Sequence, residues 1–552
     1  MQYPEYASIT GYPGQDGRWT DNAPEAIAAR KQHTRDVLAR VTSIPRDGLS
    51  ASEQLSYDLF LSEIQDDVEG QSFPSDYLRI NQLDGVQQSV AETIERAKTF
   101  SAKDYENIVA RLDGAGTRIR QDIALLREGL AKDITPPRIT LRDVPQQILN
   151  QIPVEPLESP LLAPFKTLPE SFGAATREAL VDLAVEAYVT QCKPAFEELH
   201  AFVVNEYIPG ARDSIALTEL PGGEAWYAFN IRKRTTTDMS PQAIHDLGLA
   251  EVKRIRAEMD RVIAESGFQG GFAAFTHFLR TDPQFYFDTP EALLAAYRDI
   301  AKRVDPELVR LFGILPRLPY GIKPVPAYAE KSQTTAYYMG GSKEAGRPGY
   351  FFANTYDLKT RPKWEMEALT LHEAVPGHHL QIALQKEMED LPEFRKWIGY
   401  TAYIEGWGLY AESLGSEMGF YQDPYSKFGQ LTYEIWRAIR LVVDTGMHSL
   451  GWSRQQAIDY FVENSGKSEH DITVEIDRYI VWPGQALAYK IGELKFKELR
   501  ARATAALGDH FDIRAFHDVC LLAGPLPLRL LEQRVDAWIG EEQSRLRTAT
   551  GT

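Results

Sequence analysis

Apolar residues recur at three- and four-residue spacing through most of this chain. Stretches 22–41, 87–133, 172–207, 240–267, 289–312 and 362–389 show the pattern. So do 398–418, 427–450, 453–464, 472–505 and 525–546. Good helix formers fill the positions between, so each stretch is predicted as helix. Strand signals are few. The best are 322–330 (IKPVPAYAE), 334–339 (TTAYYM) and 349–355 (GYFFANT), short runs rich in aromatic and β-branched residues and bounded by Gly or Pro. They immediately precede the helical stretch that carries the candidate chemistry. The pattern predicts a mainly α fold with a small β-sheet beside one helix.

Proline breaks this picture once. Pro136, Pro137, Pro145, Pro153, Pro156, Pro160, Pro164 and Pro169 lie within 135–169, so no continuous helix runs there. The expected division is an N-terminal helical lobe at 1–134, a Pro-rich connection at 135–170 and a large body at 171–552. A loop wrapping one continuous domain is the plainer alternative. The length of 552 residues and mass of 62.3 kDa suit either several domain-sized masses or one large two-lobed helical body. No repeat of fixed period is visible.

Composition excludes more than it proposes. With 43 % apolar and 25 % charged residues, the chain is an ordinary folded protein. Its net charge of −18 repels phosphate backbones, so no nucleic-acid partner is expected. Cys192 and Cys520 fit no C-x-x-C motif, which excludes a disulfide framework though not a single bridge. The N-terminus has neither a basic n-region nor an apolar h-region, and no apolar run approaches the ~20 residues that span a bilayer. No membrane association is expected, and a cytoplasmic location is the default. No phosphate-binding glycine loop and no G-x-S-x-G elbow is present; the glycine-rich Gly267–Phe272 follows a helix and reads as a turn.

The chemistry concentrates in His372-Glu373-Ala374-Val375-Pro376-Gly377-His378-His379. Imidazoles are common zinc ligands, and a carboxylate beside the first one suits a general base. The helical zinc motif H-E-x-x-H works because residues i and i+4 share a face. Here position i+4 is Pro376. On an ideal helix His378 falls on the wrong side, and His379 returns to the right face roughly 10 Å further along. Pro376 clashes with the preceding turn, so a bulge of one or two residues is expected, and such a bulge could bring His378 to the i+4 place. The plain alternative is a pair of exposed histidines at a kinked helix end. A second stretch, Tyr403 to Glu412, places Glu405 and Glu412 seven apart on one helical face among Tyr403, Trp407 and Tyr410. A glutamate from a second helix would complete a two-histidine, one-glutamate zinc site with a fourth position open. Those aromatics argue for burial, against the reading of two surface glutamates, and a buried carboxylate needs a partner.

The segment Ala368–Gln381 resembles the signature of a bacterial family catalogued as a domain of unknown function, DUF885, grouped with the zincin-like metallopeptidases. Further matches follow in order: Gly346-Arg347-Pro348-Gly349 with Asn354, Glu405–Glu412, Arg437–His448, and Arg478-Tyr479 leading into Pro483–Tyr489. The resemblance implies a large helical zincin-like body with a deep cleft and a small sheet. It implies one zinc ion held by His372, His378 and Glu405, with His379 in reserve for the second ligand, and Glu373 as base. A looser similarity to the angiotensin-converting-enzyme family implies that Tyr479, on an Arg-Tyr pair, donates to the developing oxyanion. Tyr489 and His448 compete for that place, and His448 reads equally as a satisfied core histidine.

These readings converge on a zinc-dependent hydrolase of short peptides, with Glu373 moving the proton. A strand at 350–355 could pair with an extended substrate, as an edge strand does in related zincins. Asn354 could anchor that backbone or simply close a turn, and Arg347 could bind a substrate carboxylate or lie in a surface turn. A hydrolase of a non-peptide amide or ester fits the same metal site. A binding protein that kept the fold is a third reading, disfavoured by the complete His, Glu, His and Glu set.

Overall fold

The structure, a computed structural model, describes residues 2–326, 330, 334–341 and 346–550. Helices dominate, with three strands, as the spacing of apolar residues predicts. No helix among the described residues is long and apolar enough to cross a membrane.

The chain divides after Gly222 into two compact units, Met1–Gly222 and Gly223–Thr552. The predicted boundaries at 134 and 170 both fall inside the first unit. Its long axis is the Ala102–Ala131 helix, started by a capping box in which Ser101 and Asp104 satisfy each other's backbone N–H groups. The Pro-rich stretch is ordered as short turns of helix, including Val144–Leu149 and Pro160–Phe165. From these, Leu141, Ile148, Leu161, Leu162 and Phe165 enter the same apolar core as Ile108, Leu112 and Ile119. The 172–207 stretch, expected in the larger body, joins that core through Leu180, Phe196 and Phe202. Proline breaks a helix but does not stop its neighbours from packing, so proline density misplaced the boundary.

In the second unit, the Pro241–Glu265 helix lies along the Pro424–Ser449 helix, and Thr401–Leu414 lies along Ala488–Leu507. The 424–449 helix is buried on nearly every face. The predicted 472–505 helix is interrupted: Glu469–Val481 ends, the chain turns through Gly484 at φ +82°, and Ala488–Leu507 begins.

The sheet has β1 (Tyr320–Pro324), β2 (Ala336–Met339) and β3 (Gly349–Ala353) in the order β1-β3-β2. β3 pairs parallel with β1, Ile322 opposite Phe351, and antiparallel with β2, Tyr338 opposite Phe351. Both its hydrogen-bonding edges are therefore occupied. The expectation that this strand offers a free edge to substrate is incorrect; strand order is not written in the alternation of side chains. β1 ends earlier than the predicted 322–330 strand, of which residues 327–329 lie outside the described residues.

Candidate metal centre

The Met366–Glu373 helix stops one residue after His372, and a new helix, His378–Glu387, starts at His378. The break is larger than the expected bulge. Ala374 and Gly377 leave helical conformation altogether, and the Val375–Pro376 peptide is cis. A Cβ at Gly377 would collide with the carbonyl oxygens of Leu371 and His372, so the chain folds back on itself where only glycine fits. The indole N–H of Trp407 donates to the Pro376 carbonyl at 2.9 Å and fixes the break to the 401–414 helix.

The fold-back sets the two imidazoles face to edge. The rings of His372 and His378 lie 4.7 Å apart at 85°. Nε2 of each is 3.6 Å from Glu405 Oε2. The three donor atoms all lie within 4.8 Å of one another, the span of one metal ion's ligand shell. The 401–414 helix supplies more than Glu405. Three residues on, Gly408 faces the His372 ring, and a Cβ there would sit 2.6 Å from its Cε1. At Glu412, the next turn of the same face, Oε1 is 2.7 Å from His372 Nδ1. Glu412 thus leaves Nε2 of His372 as the ring nitrogen free to ligate. Nδ1 of His378 is buried without a partner among the described residues.

The electrostatics follow this geometry. Burial works against charge on His372, but Glu405 and Glu412 outweigh it and push its pKa up to about 10. Burial likewise opposes ionisation of Glu405, yet His372 and His378 hold its carboxyl well below the usual range. Two imidazoles and an ionised carboxylate, packed together with two ring nitrogens and one oxygen converging, suit zinc.

His379 points elsewhere. Its Nδ1 is 2.8 Å from the Tyr338 hydroxyl, and its ring packs on Tyr320 at 4.5 Å. Burial lowers its pKa to about 4, so it is a neutral contact between helix 378–387 and the sheet. Glu373 ends its helix half-buried, close enough to His372 to favour its charge, and makes no hydrogen bond or ion pair among the described residues.

The other predicted residues are not among these converging donors. The Tyr479 hydroxyl donates to Glu475 Oε2 at 2.5 Å and accepts from Arg440 Nε at 2.8 Å and Trp436 Nε1 at 3.2 Å. Its proton is committed, which argues against an oxyanion donor. His448 is fully buried, with Nε2 3.0 Å from the Tyr479 carbonyl oxygen. It lies eleven residues beyond Arg437, which reaches Glu412 at 4.0 Å, and that is roughly 16 Å along the axis. Tyr489 is half-buried; Arg478 reaches its hydroxyl at 3.5 Å and Arg440 lies over its ring. Asn354 closes a turn: its amide donates to the carbonyls of Glu330 and Thr334, and its oxygen accepts from Tyr356 N–H. Arg347 is exposed. Cys192 and Cys520 are both free and buried. Glu412 was the residue of this site the sequence offered without a role; its i+7 spacing from Glu405 was the available signal.

A family model described as "Bacterial protein of unknown function (DUF885)" matches residues 4–535. The crystal structure of a "putative lipoprotein" from Colwellia psychrerythraea superposes with a TM-score of 0.92 at 27 % identity, covering 98 % of this chain and 96 % of that one. A second structure, of a "putative lipoprotein of unknown function" from Shewanella oneidensis, gives 0.72 at 16 % identity over 96 % of each chain and shares the fold. No curated protein matches.

Proposed function

We propose that this chain, which belongs to the DUF885 family, is a zinc-dependent hydrolase acting on short peptides. The observation that carries the reading is the convergence of His372 Nε2 and His378 Nε2 on Glu405 Oε2, each at 3.6 Å, with Glu373 next in sequence to the first histidine. His372, His378 and Glu405 would hold the metal, which supplies Lewis acidity to a carbonyl and acidity to water.

The protein's own groups do the rest. Glu412 fixes the ring of His372, and Trp407 fixes the turn that delivers His378. Glu373, half-buried and unpaired among the described residues, takes a proton from the attacking water and returns it to the leaving nitrogen as the C–N bond breaks and a C–O bond forms. Tyr479 serves as a positioning group for Arg440 rather than as an oxyanion donor.

Metal content by plasma mass spectrometry tests the site. Wild type is expected to hold about one zinc per chain. His372→Ala, His378→Ala and Glu405→Ala lose it, and His379→Ala keeps it. Glu373→Gln keeps the metal while turnover of a peptide library falls by about 10²–10⁴. A wild-type chain that takes up no zinc overturns the proposal. Metal retention with turnover only of non-peptide amides or esters would move the substrate class and leave the site.

A further inference from the structure

Three arginines, one of them 4.0 Å from Glu412, carry no chemical step in that reading. Arg437 and Arg440 are 7 % and 4 % exposed, on the 424–449 helix, and Arg478 lies on the 469–481 helix. Each keeps a buried N–H with no acceptor among the described residues: Nε of Arg437, Nη1 of Arg440 and Nε of Arg478. Buried guanidinium donors are ordinarily all satisfied, so three left over in one place ask for an acceptor.

The local charge points the same way. Arg440 and Arg478 share a single carboxylate, Glu475, at 3.2 and 3.3 Å. Arg437 donates to the Tyr433 carbonyl and reaches Glu412 only at 4.0 Å, and Glu412 already holds His372. Lys467 is matched by Glu365 at 2.8 Å. Three guanidinium groups thus act on the one carboxylate of Glu475. Aromatic faces flank them: Arg437 and Arg440 each lie 5.2 Å from the Trp436 ring, and Arg440 lies 4.4 Å from the Tyr489 ring. An anion with an apolar side chain suits such a lining.

The spacing to the metal centre selects the anion. Glu412 Oε1 is 2.7 Å from His372 Nδ1 and 4.0 Å from Arg437 Nη2. Arg437 therefore lies within about 7 Å of the first histidine, a distance one to two residues of extended chain span at roughly 3.3–3.6 Å each. We propose that Arg437, Arg440 and Arg478 bind the terminal carboxylate of a peptide, so that the bond hydrolysed is the last or the second-last of the chain. Cleavage adds water across that C–N bond, hydroxyl to the carbonyl carbon and proton to the amine. The cleavage rests on the hydrolase reading; the carboxylate site does not.

Calorimetry on the full-length, metal-stripped Glu373→Gln protein tests the site without turnover. The probes are an N-acetylated tripeptide as free acid, the same peptide as its C-terminal amide, and inorganic phosphate. The free acid is expected to bind at least tenfold tighter than the amide. Arg437→Gln and Arg478→Gln are expected to erase that preference, and Arg478→Lys to restore part of it. Circular dichroism checks each variant; if Arg437→Gln does not fold, the Arg478 pair decides. Equal binding of acid and amide overturns the proposal, as does phosphate binding tighter than the acid. Digestion by wild type then separates the two readings. A carboxylate preference without cleavage overturns the hydrolase and leaves this site standing. Cleavage indifferent to the terminal carboxylate does the reverse.

Discussion

The cores of the two units are built differently. The first is filled mostly by Ile, Leu, Val and Phe side chains and holds few buried charges: Asp122, met by Arg79, Arg118 and Asn22, and Arg111. In the second, charge runs through the interior. Glu434, Arg437, Arg440, Asp444, Lys490 and Glu493 are all buried on or against the 424–449 helix, and His372, His378 and Glu412 are buried in the same unit. Buried charge is a costly way to hold a protein together, because each ion gives up its hydration. The first core serves stability. The second accepts that cost to keep donors and carboxylates in fixed places.

One substitution in each core strains the contrast hardest. Lys490 is fully buried among Glu434, Glu493 and Glu251 at 2.8, 2.7 and 3.0 Å. Lys490→Met strands carboxylates without their cation and is expected to cost about 3–5 kcal/mol in urea unfolding. Phe196→Ala in the first core is expected to cost a similar ~3–5 kcal/mol by leaving a cavity. The two differ in kind: adding Glu434→Gln to Lys490→Met should recover part of the first loss by removing an unpaired carboxylate, while no charge change recovers the second. No recovery in the double variant would erase the distinction between the cores.

Asp444 sharpens it through pH. Burial raises its pKa from 3.8 to about 7, only partly offset by Tyr227 and the Gly484 N–H, and no cation pairs with it among the described residues. A carboxyl raised in the folded state gives stability that is complete below pH 3.8 and is lost as pH rises through about 7. Asp444→Asn removes this dependence. Thermal melts should show the variant ahead of wild type at pH 8 by up to ~4 kcal/mol and level with it at pH 4. A constant difference across that range would contradict the assignment.

The smallest effect concerns the site's orienting carboxylate. Glu412→Gln keeps the shape but weakens the grip on His372 Nδ1, and zinc affinity should fall about 10–100-fold in a chelator competition. An unchanged affinity would mean that Glu412 serves packing alone.

The sequence made some of this legible and hid the rest for physical reasons. The grouping of His372, His378 and Glu405 was readable because ligand chemistry depends on residue type and the strain at Pro376-Gly377 is local. The orientation of His379 was not, since Tyr338 and Tyr320 arrive from strands 40 and more residues away. The central place of β3 and the boundary at Gly222 depend on packing partners, which periodicity does not encode. Arg437 and Arg440 stood in a recognisable segment, but their unmet N–H groups exist only once Glu475, Tyr479 and Trp436 are in place.

Gly377 and Gly408 carry a consequence for anyone mapping this protein by mutation. Neither has a functional group, yet one lets the backbone reverse and the other leaves the room in which the His372 ring stands. A saturation scan should score both as intolerant as the histidines, alanine included. Ranked by sensitivity alone, two empty positions would pass for catalysts, and the chemistry of the centre would be credited to residues whose contribution is the absence of an atom.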